Sequence, residues 1–172
     1  MDQSFWTFIA ALGAAVAAAA TVWYAILTRK TIRATLLSHV LTKYSSRERI
    51  EASQKLREYK KRNEELYEAL ERTKRKNEPL GIHATVSITS LNQEVHAARA
   101  YLSAFFWEVK TYCEAGYLDK KLVAAALGNA GHELYLELVE PLDWINTTFI
   151  LNRDDYDDSV RLYFERSLKK YF

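Results

Sequence analysis

The chain has 172 residues, 49% hydrophobic and 27% charged, a balance that excludes intrinsic disorder and leaves room for one compact domain with an appendage. Five Gly and two Pro are too few for a turn-rich β-sandwich or barrel, and the single Cys113 excludes a disulfide framework or a multi-cysteine metal site. The net charge of +2 hides an asymmetry: residues 1–78 carry 15 Lys/Arg against 9 Asp/Glu, and residues 79–172 carry 9 against 13, which points to an anionic partner near the front of the chain.

No charged residue occurs between Phe5 and Leu27. As a helix these residues extend roughly 34 Å, enough to cross a bilayer with some tilt. Trp6 at one end and Trp23 with Tyr24 at the other, roughly 26 Å apart, match aromatic belts at two membrane interfaces. The competing reading, a cleavable signal peptide, lacks the basic residues it needs before the apolar run; a buried soluble helix is a third reading. Arg29, Lys30 and Arg33 follow the run, so the positive-inside rule predicts a single-pass protein of the inner membrane with its N-terminus outside and its C-terminal body in the cytoplasm. Within the run, Gly13 with Ala17, and Ala10 with Ala14 and Ala18, place small side chains at four-residue spacing, the pattern that lets membrane helices approach closely and self-associate. The predicted organisation is an anchor over 1–28, a charged amphipathic connector over 29–78 and a helical cytoplasmic domain over 79–172.

In the connector, Ile32, Leu36, Val40 and Leu41 recur at helical spacing, and Leu56, Tyr59, Leu66 and Leu70 continue the pattern. Tyr44-Ser45-Ser46 is the expected break, with Ser46 as N-cap of a second helix. Dense charges of both signs from Arg47 to Glu78 fit a solvated face. Two cationic clusters, Lys60-Lys61-Arg62 and Arg72 with Lys74-Arg75-Lys76, also suit lipid head groups or a phosphorylated ligand. The second runs into Asn77-Glu78-Pro79-Leu80-Gly81 and is expected at a helix end, where cations also complement the helix dipole.

Further on, Ile82, Ala84, Val86 and Ile88 alternate, fitting a short strand as well as a helical turn, and Asn146–Leu151 has a similar composition; the two could pair as a small β-ribbon. Ser90-Leu91-Asn92-Gln93 reads as a capping box opening a helix whose stripe is Val95, Ala98, Leu102, Phe105, Phe106, Val109 and Tyr112, ending at Gly116. Asp119 is the expected cap of the next helix, with Leu122, Val123, Ala126 and Leu127 inward and Gly128 as its stop. Two more helices are expected, about His132 to Glu140 and about Asp157 to Lys169. The fold class is therefore mainly α, with room for the ribbon.

The sequence contains no Walker loop, no GxGxxG after a strand, no HExxH and no GxSxG. No catalytic residue, metal site or cofactor is expected, and the protein is read as not an enzyme. His39, His83, His96 and His132 lack ligand spacing, Cys113 falls on the apolar face of the strongest helix, and Asp154, Asp155, Asp157 and Asp158 lack the alternation of a calcium loop. Aromatic rings beside cations form the stacking-plus-phosphate arrangement that holds nucleotides. The one region that combines them is Tyr101 near Arg99, with His83 and the Arg72, Lys74, Arg75, Lys76 cluster upstream, and these residues are the candidate ligand site.

The stretch Tyr101–Val109, followed by Ala115-Gly116-Tyr117-Leu118-Asp119 and by Val139-Glu140-Pro141-Leu142, resembles a family of small bacterial membrane-anchored proteins of unknown function, with one span, a basic connector and a helical body. In overall plan the chain is also similar to the CRISPR-associated membrane effectors that bind cyclic tetra-adenylate. That likeness implies a cyclic oligoadenylate ligand, a homo-oligomer and disturbance of the lipid bilayer in antiviral defence, with no DNA duplex binding. The alternative is a membrane-tethered scaffold that binds anionic lipid and a protein partner.

Overall fold

Residues 3–44 carry no proline and no helix stop, and they form one helix, α1 (Gln3–Tyr44), 42 residues and roughly 63 Å long. The computed structural model describes residues 3–76, 82–150, 156–168 and 171. The apolar half of α1 is exposed along its described length, with Trp6, Leu12, Val16 and Trp23 all on the surface. This helix is long and apolar enough to cross a membrane. The hydroxyls of Thr21 and Thr31 donate to the carbonyls of Ala17 and Leu27 four residues back, so neither needs water. The expected anchor and the first part of the connector are thus one continuous helix, and its last turns enter the body, where Val40 is buried and Tyr44 stacks on Phe105.

The break falls where the sequence places it. Ser46 adopts extended φ/ψ and its hydroxyl accepts from the Arg49 N–H at 3.2 Å, opening α2 (Arg47–Arg62). Arg49 doubles back, donating to the Tyr44 carbonyl and stacking 4.2 Å over the Tyr44 ring. Asn63 then interrupts the charged run and separates α2 from α3 (Glu64–Lys76). Both bury an apolar stripe, Leu56 and Tyr59 on α2, Leu66, Tyr67 and Leu70 on α3, in the same core as the residues beyond 95.

The longest helix of the body, α4 (Ile82–Glu114), begins eight residues before the expected capping box. Neither half of the expected β-ribbon exists: Ile82–Ile88 is the start of α4 and Asn146–Ile150 is π-helical, with no strand among the described residues. Alternation over four apolar positions is a weak strand signal, and local propensity gave way to a helix that buries Val95, Leu102, Phe105, Phe106 and Val109 continuously. Gly116, at φ 72°, ends α4, with the N–H groups of Tyr117 and Leu118 returning to the Tyr112 carbonyl.

The Asp119 carboxylate caps α5 (Lys120–Glu133), accepting from the N–H groups of Lys121 and Leu122. Its buried face is Val123, Ala124 and Leu127, while Leu122, expected inward, is 55% exposed. Gly128, at φ 60° and ψ −178°, kinks the helix without stopping it. The chain passes into a π-helical segment, Leu134–Val139, and then α6 (Glu140–Ile145). Pro141 has no N–H for the preceding turn, and the wider turns before it, in which the Glu140 N–H reaches the Tyr135 carbonyl, lead the chain into that gap. The last expected helix appears as α7 (Ser159–Leu162) continued by π-helical Tyr163–Leu168. Phe106, Tyr135 and Phe164 meet at the centre, ring centroids 4.9–5.2 Å apart.

Contacts along α1 order the body by distance from the apolar half. Arg33 donates to the Gly116 carbonyl, Lys43 pairs with Glu108, and Ser46 meets the Tyr101 hydroxyl, so α4 descends antiparallel to α1. Among the described contacts with α1, that of the turn between α4 and α5 with Arg33 lies closest to the apolar half of the helix.

Candidate functional site

Arg99 and Tyr101 are two residues apart on α4, a spacing that turns their side chains toward nearly opposite sides of a helix. The Tyr101 hydroxyl meets Ser46 Oγ at 3.2 Å, at the junction of α1 and α2. Arg99 is 8% exposed and forms an ion pair with Asp143, on α6, with a second contact to His96 Nδ1 at 3.2 Å. Its charge therefore has a partner within the fold. Arg72 is exposed on α3, where its Nε donates to the Glu68 carbonyl. The side chains of Lys74, Arg75, Lys76 and His83 lie outside the described ones, although their backbone is helical. The described members of the candidate set are not brought into one site.

What α4 and α6 assemble instead is a buried charge centre. Burial pushes the Asp143 carboxyl up, and Arg99 and Ser103 oppose that shift. Beside it, Glu140, 4% exposed, lies 3.7 Å from Arg161 Nε and accepts from the Tyr156 hydroxyl at 3.4 Å. Arg161 also pairs with Asp158 and Glu165. Desolvation raises the Tyr135 and Tyr156 phenols well above their ordinary range, so both remain neutral donors. A cleft of about 470 Å³ opens over Arg99, Asp143, Tyr156 and Trp107.

A second polar hub forms at Glu108, which accepts from Lys43 Nζ at 2.5 Å, His39 Nε2 at 3.2 Å and the Tyr112 hydroxyl at 2.9 Å. Burial pushes the Glu108 carboxyl up, but the Lys43 and Tyr112 hydrogen bonds, with the Lys43 and His39 charges, outweigh it and hold it below its ordinary value. It fastens α1 to α4. Cys113 is buried and burial raises its thiol, opposing nucleophilic use. No cluster of metal-ligating side chains occurs among the described residues.

The other clefts differ in charge. One, about 710 Å³, carries four carboxylates (Glu71, Glu137, Glu140, Glu165) against Lys60 and Arg161 and repels a phosphate. Next to it, a cleft of about 410 Å³ balances Arg57, Lys60 and Lys61 with Glu64, Glu133 and Glu137; Lys60 itself bonds Glu137 at 3.1 Å. A cleft of about 690 Å³ between α1 and the α4–α5 turn sets Arg33, Lys120 and Lys121 against Asp119 alone. Of these clefts it alone has an excess of cations.

Sequence reasoning missed Asp143, Glu140 and Glu108 as charge partners because each pairing spans many residues of chain. No protein family, curated protein or solved structure matches this chain.

Proposed function

We propose that the chain is a non-enzymatic, single-pass protein of the bacterial inner membrane that holds a helical body on the cytoplasmic face as a tethered scaffold for a protein partner. The observation that carries this reading is the continuity of α1, exposed and apolar from Trp6 to Leu27 and packed into the body's core at its end, with no linker between. Arg29, Lys30 and Arg33 favour a cytoplasmic body. Full-length protein should stay with membranes through a carbonate wash, and a reporter fused after Phe172 should be active only if it works in the cytoplasm. Recovery in the soluble fraction, or activity of a periplasmic reporter alone, overturns the reading.

The same rigid coupling favours a second reading, in which the body is the sensor of an antiviral effector that binds a cyclic oligoadenylate and rearranges spans packed through Ala10, Gly13, Ala14, Ala17 and Ala18. Exposed Arg72 supports it, standing on a helix whose backbone continues through Lys74, Arg75 and Lys76. Calorimetry of the full chain in detergent against cyclic oligoadenylates tests it. Binding that weakens with salt and with Arg72→Glu, Arg75→Glu or Lys76→Glu supports the sensor, and a flat titration removes it.

A further inference from the structure

We infer that the α4–α5 turn is a second membrane contact, in which Arg33, Lys120 and Lys121 hold the phosphate of an anionic lipid head group while Tyr117 and Leu122 meet the bilayer surface. The inference rests on α1 spanning the membrane through Leu27. Arg33 lies six positions beyond Leu27, about 9 Å along the helix. The head-group layer on each side of the hydrocarbon is about 5 to 8 Å deep. Arg33 donates to the Gly116 carbonyl at 3.1 Å, so the turn sits at the lower edge of that layer, within reach of lysine side chains.

The composition of the turn fits that place. Tyr117 is 48% exposed and Leu122 55% exposed, although α5 buries Val123, Ala124 and Leu127 on its other side. An exposed tyrosine beside an exposed leucine suits a membrane interface, where an amphipathic ring and an apolar side chain both gain from the head-group boundary. The cleft between them and α1 holds three cations against one carboxylate, and the Asp119 carboxylate is engaged with the N–H groups of α5. Lys120 lies 5.4 Å from the Tyr163 ring centroid, a contact that steadies the amine at the cleft wall. Anionic lipid rather than a soluble anion is the occupant, because the continuous helix holds the cleft about 9 Å along α1 from the end of the span, beside the head groups.

The test uses the unmodified full chain in vesicles of phosphatidylcholine, with and without phosphatidylglycerol, and measures acylation of each lysine by an amine-reactive probe. In phosphatidylglycerol vesicles the modification of Lys120 and Lys121 should fall, by about fivefold per lysine engaged with the surface, while Lys61 on α2 stays unchanged. Arg33→Gln, which leaves Arg29 and Lys30 to orient the span, should weaken that protection. Equal modification in both vesicles, or protection confined to Lys61, overturns the inference, and so does equal protection of Lys120 and Lys121 by inorganic phosphate over phosphatidylcholine alone. If carbonate extracts the chain from the vesicles, the span itself is wrong and the inference falls with it; resistance to carbonate without protection sinks the inference alone.

Discussion

The Tyr44 hydroxyl donates to the Leu127 carbonyl at 3.0 Å, one residue before Gly128 leaves helical geometry. A kink deprives the carbonyls before it of their usual partners, and the last residue of α1 supplies one from outside the helix. Tyr44→Phe should destabilise the full chain by about 1 to 3 kcal/mol in denaturant titrations in detergent, because the carbonyl is left part-buried and unpaired. Gly131 makes the same junction intolerant of bulk: an added Cβ would lie 2.8 Å from Leu127 Cβ and 3.0 Å from the Tyr44 oxygen. Gly131→Ala should cost about 1 to 3 kcal/mol, even though Ala is the better helix former.

Arg99 and Asp143 behave as a buried pair. Loss of either partner strands the other charge in the core, so Arg99→Ala should destabilise by about 3 to 5 kcal/mol. Replacing both, as Arg99→Met with Asp143→Leu, should restore most of that loss in the same titration. Arg99 is consequently a poor probe of nucleotide affinity, since its removal would lower binding through the fold.

Glu108 sets an acid limit. Its folded carboxyl lies below its ordinary value, so the stability it lends is complete above about pH 4.5, the unfolded value, and is lost as pH falls through the lower folded one. Melting temperature of the wild type should decline over that window. Glu108→Gln should be less stable at neutral pH and show a shallower decline; an unchanged slope would mean that other carboxylates govern acid unfolding.

In the apolar half of α1, no atom of the described residues lies within 4 Å of where a Cβ on Gly13 would stand. Gly13→Leu with Ala17→Leu should leave membrane retention intact and reduce self-association, measured by crosslinking in native membranes. Unchanged crosslinking would show that the spans do not pack through this face.

Short-range chemistry was legible in the sequence. Ser46, Gly116 and Asp119 each announce a helix end through their own side chain or its lack, and each ends or begins a helix as read. The division of α2 from α3 was not, because Asn63 is one weak breaker among strong helix formers. Nor was the early start of α4, where four alternating apolar residues suit either period. Leu122 was assigned inward because helical periodicity sets the spacing of a stripe but leaves its boundary open to neighbours that cover it. The described members of the candidate site are dispersed for a related reason: proximity in sequence put Arg99 beside Tyr101, while the fold gave Arg99 to Asp143, 44 residues on, and Tyr101 to Ser46, 55 residues back.

A helix with no break transmits a compass bearing as well as a height. At about 100° per residue, Gly13 and Ala17 lie roughly 160° and 200° around α1 from Arg33, so the small face points almost directly away from the side that holds the α4–α5 turn. Two spans joined through that face would carry their bodies on opposite outer flanks, each turn facing lipid and neither facing its twin. One extra residue between Lys30 and Arg33 would change the body's depth by only about 1.5 Å but swing it about 100° around the axis. The count of residues between Ala17 and Arg33 is thus itself a specification of which way the body looks.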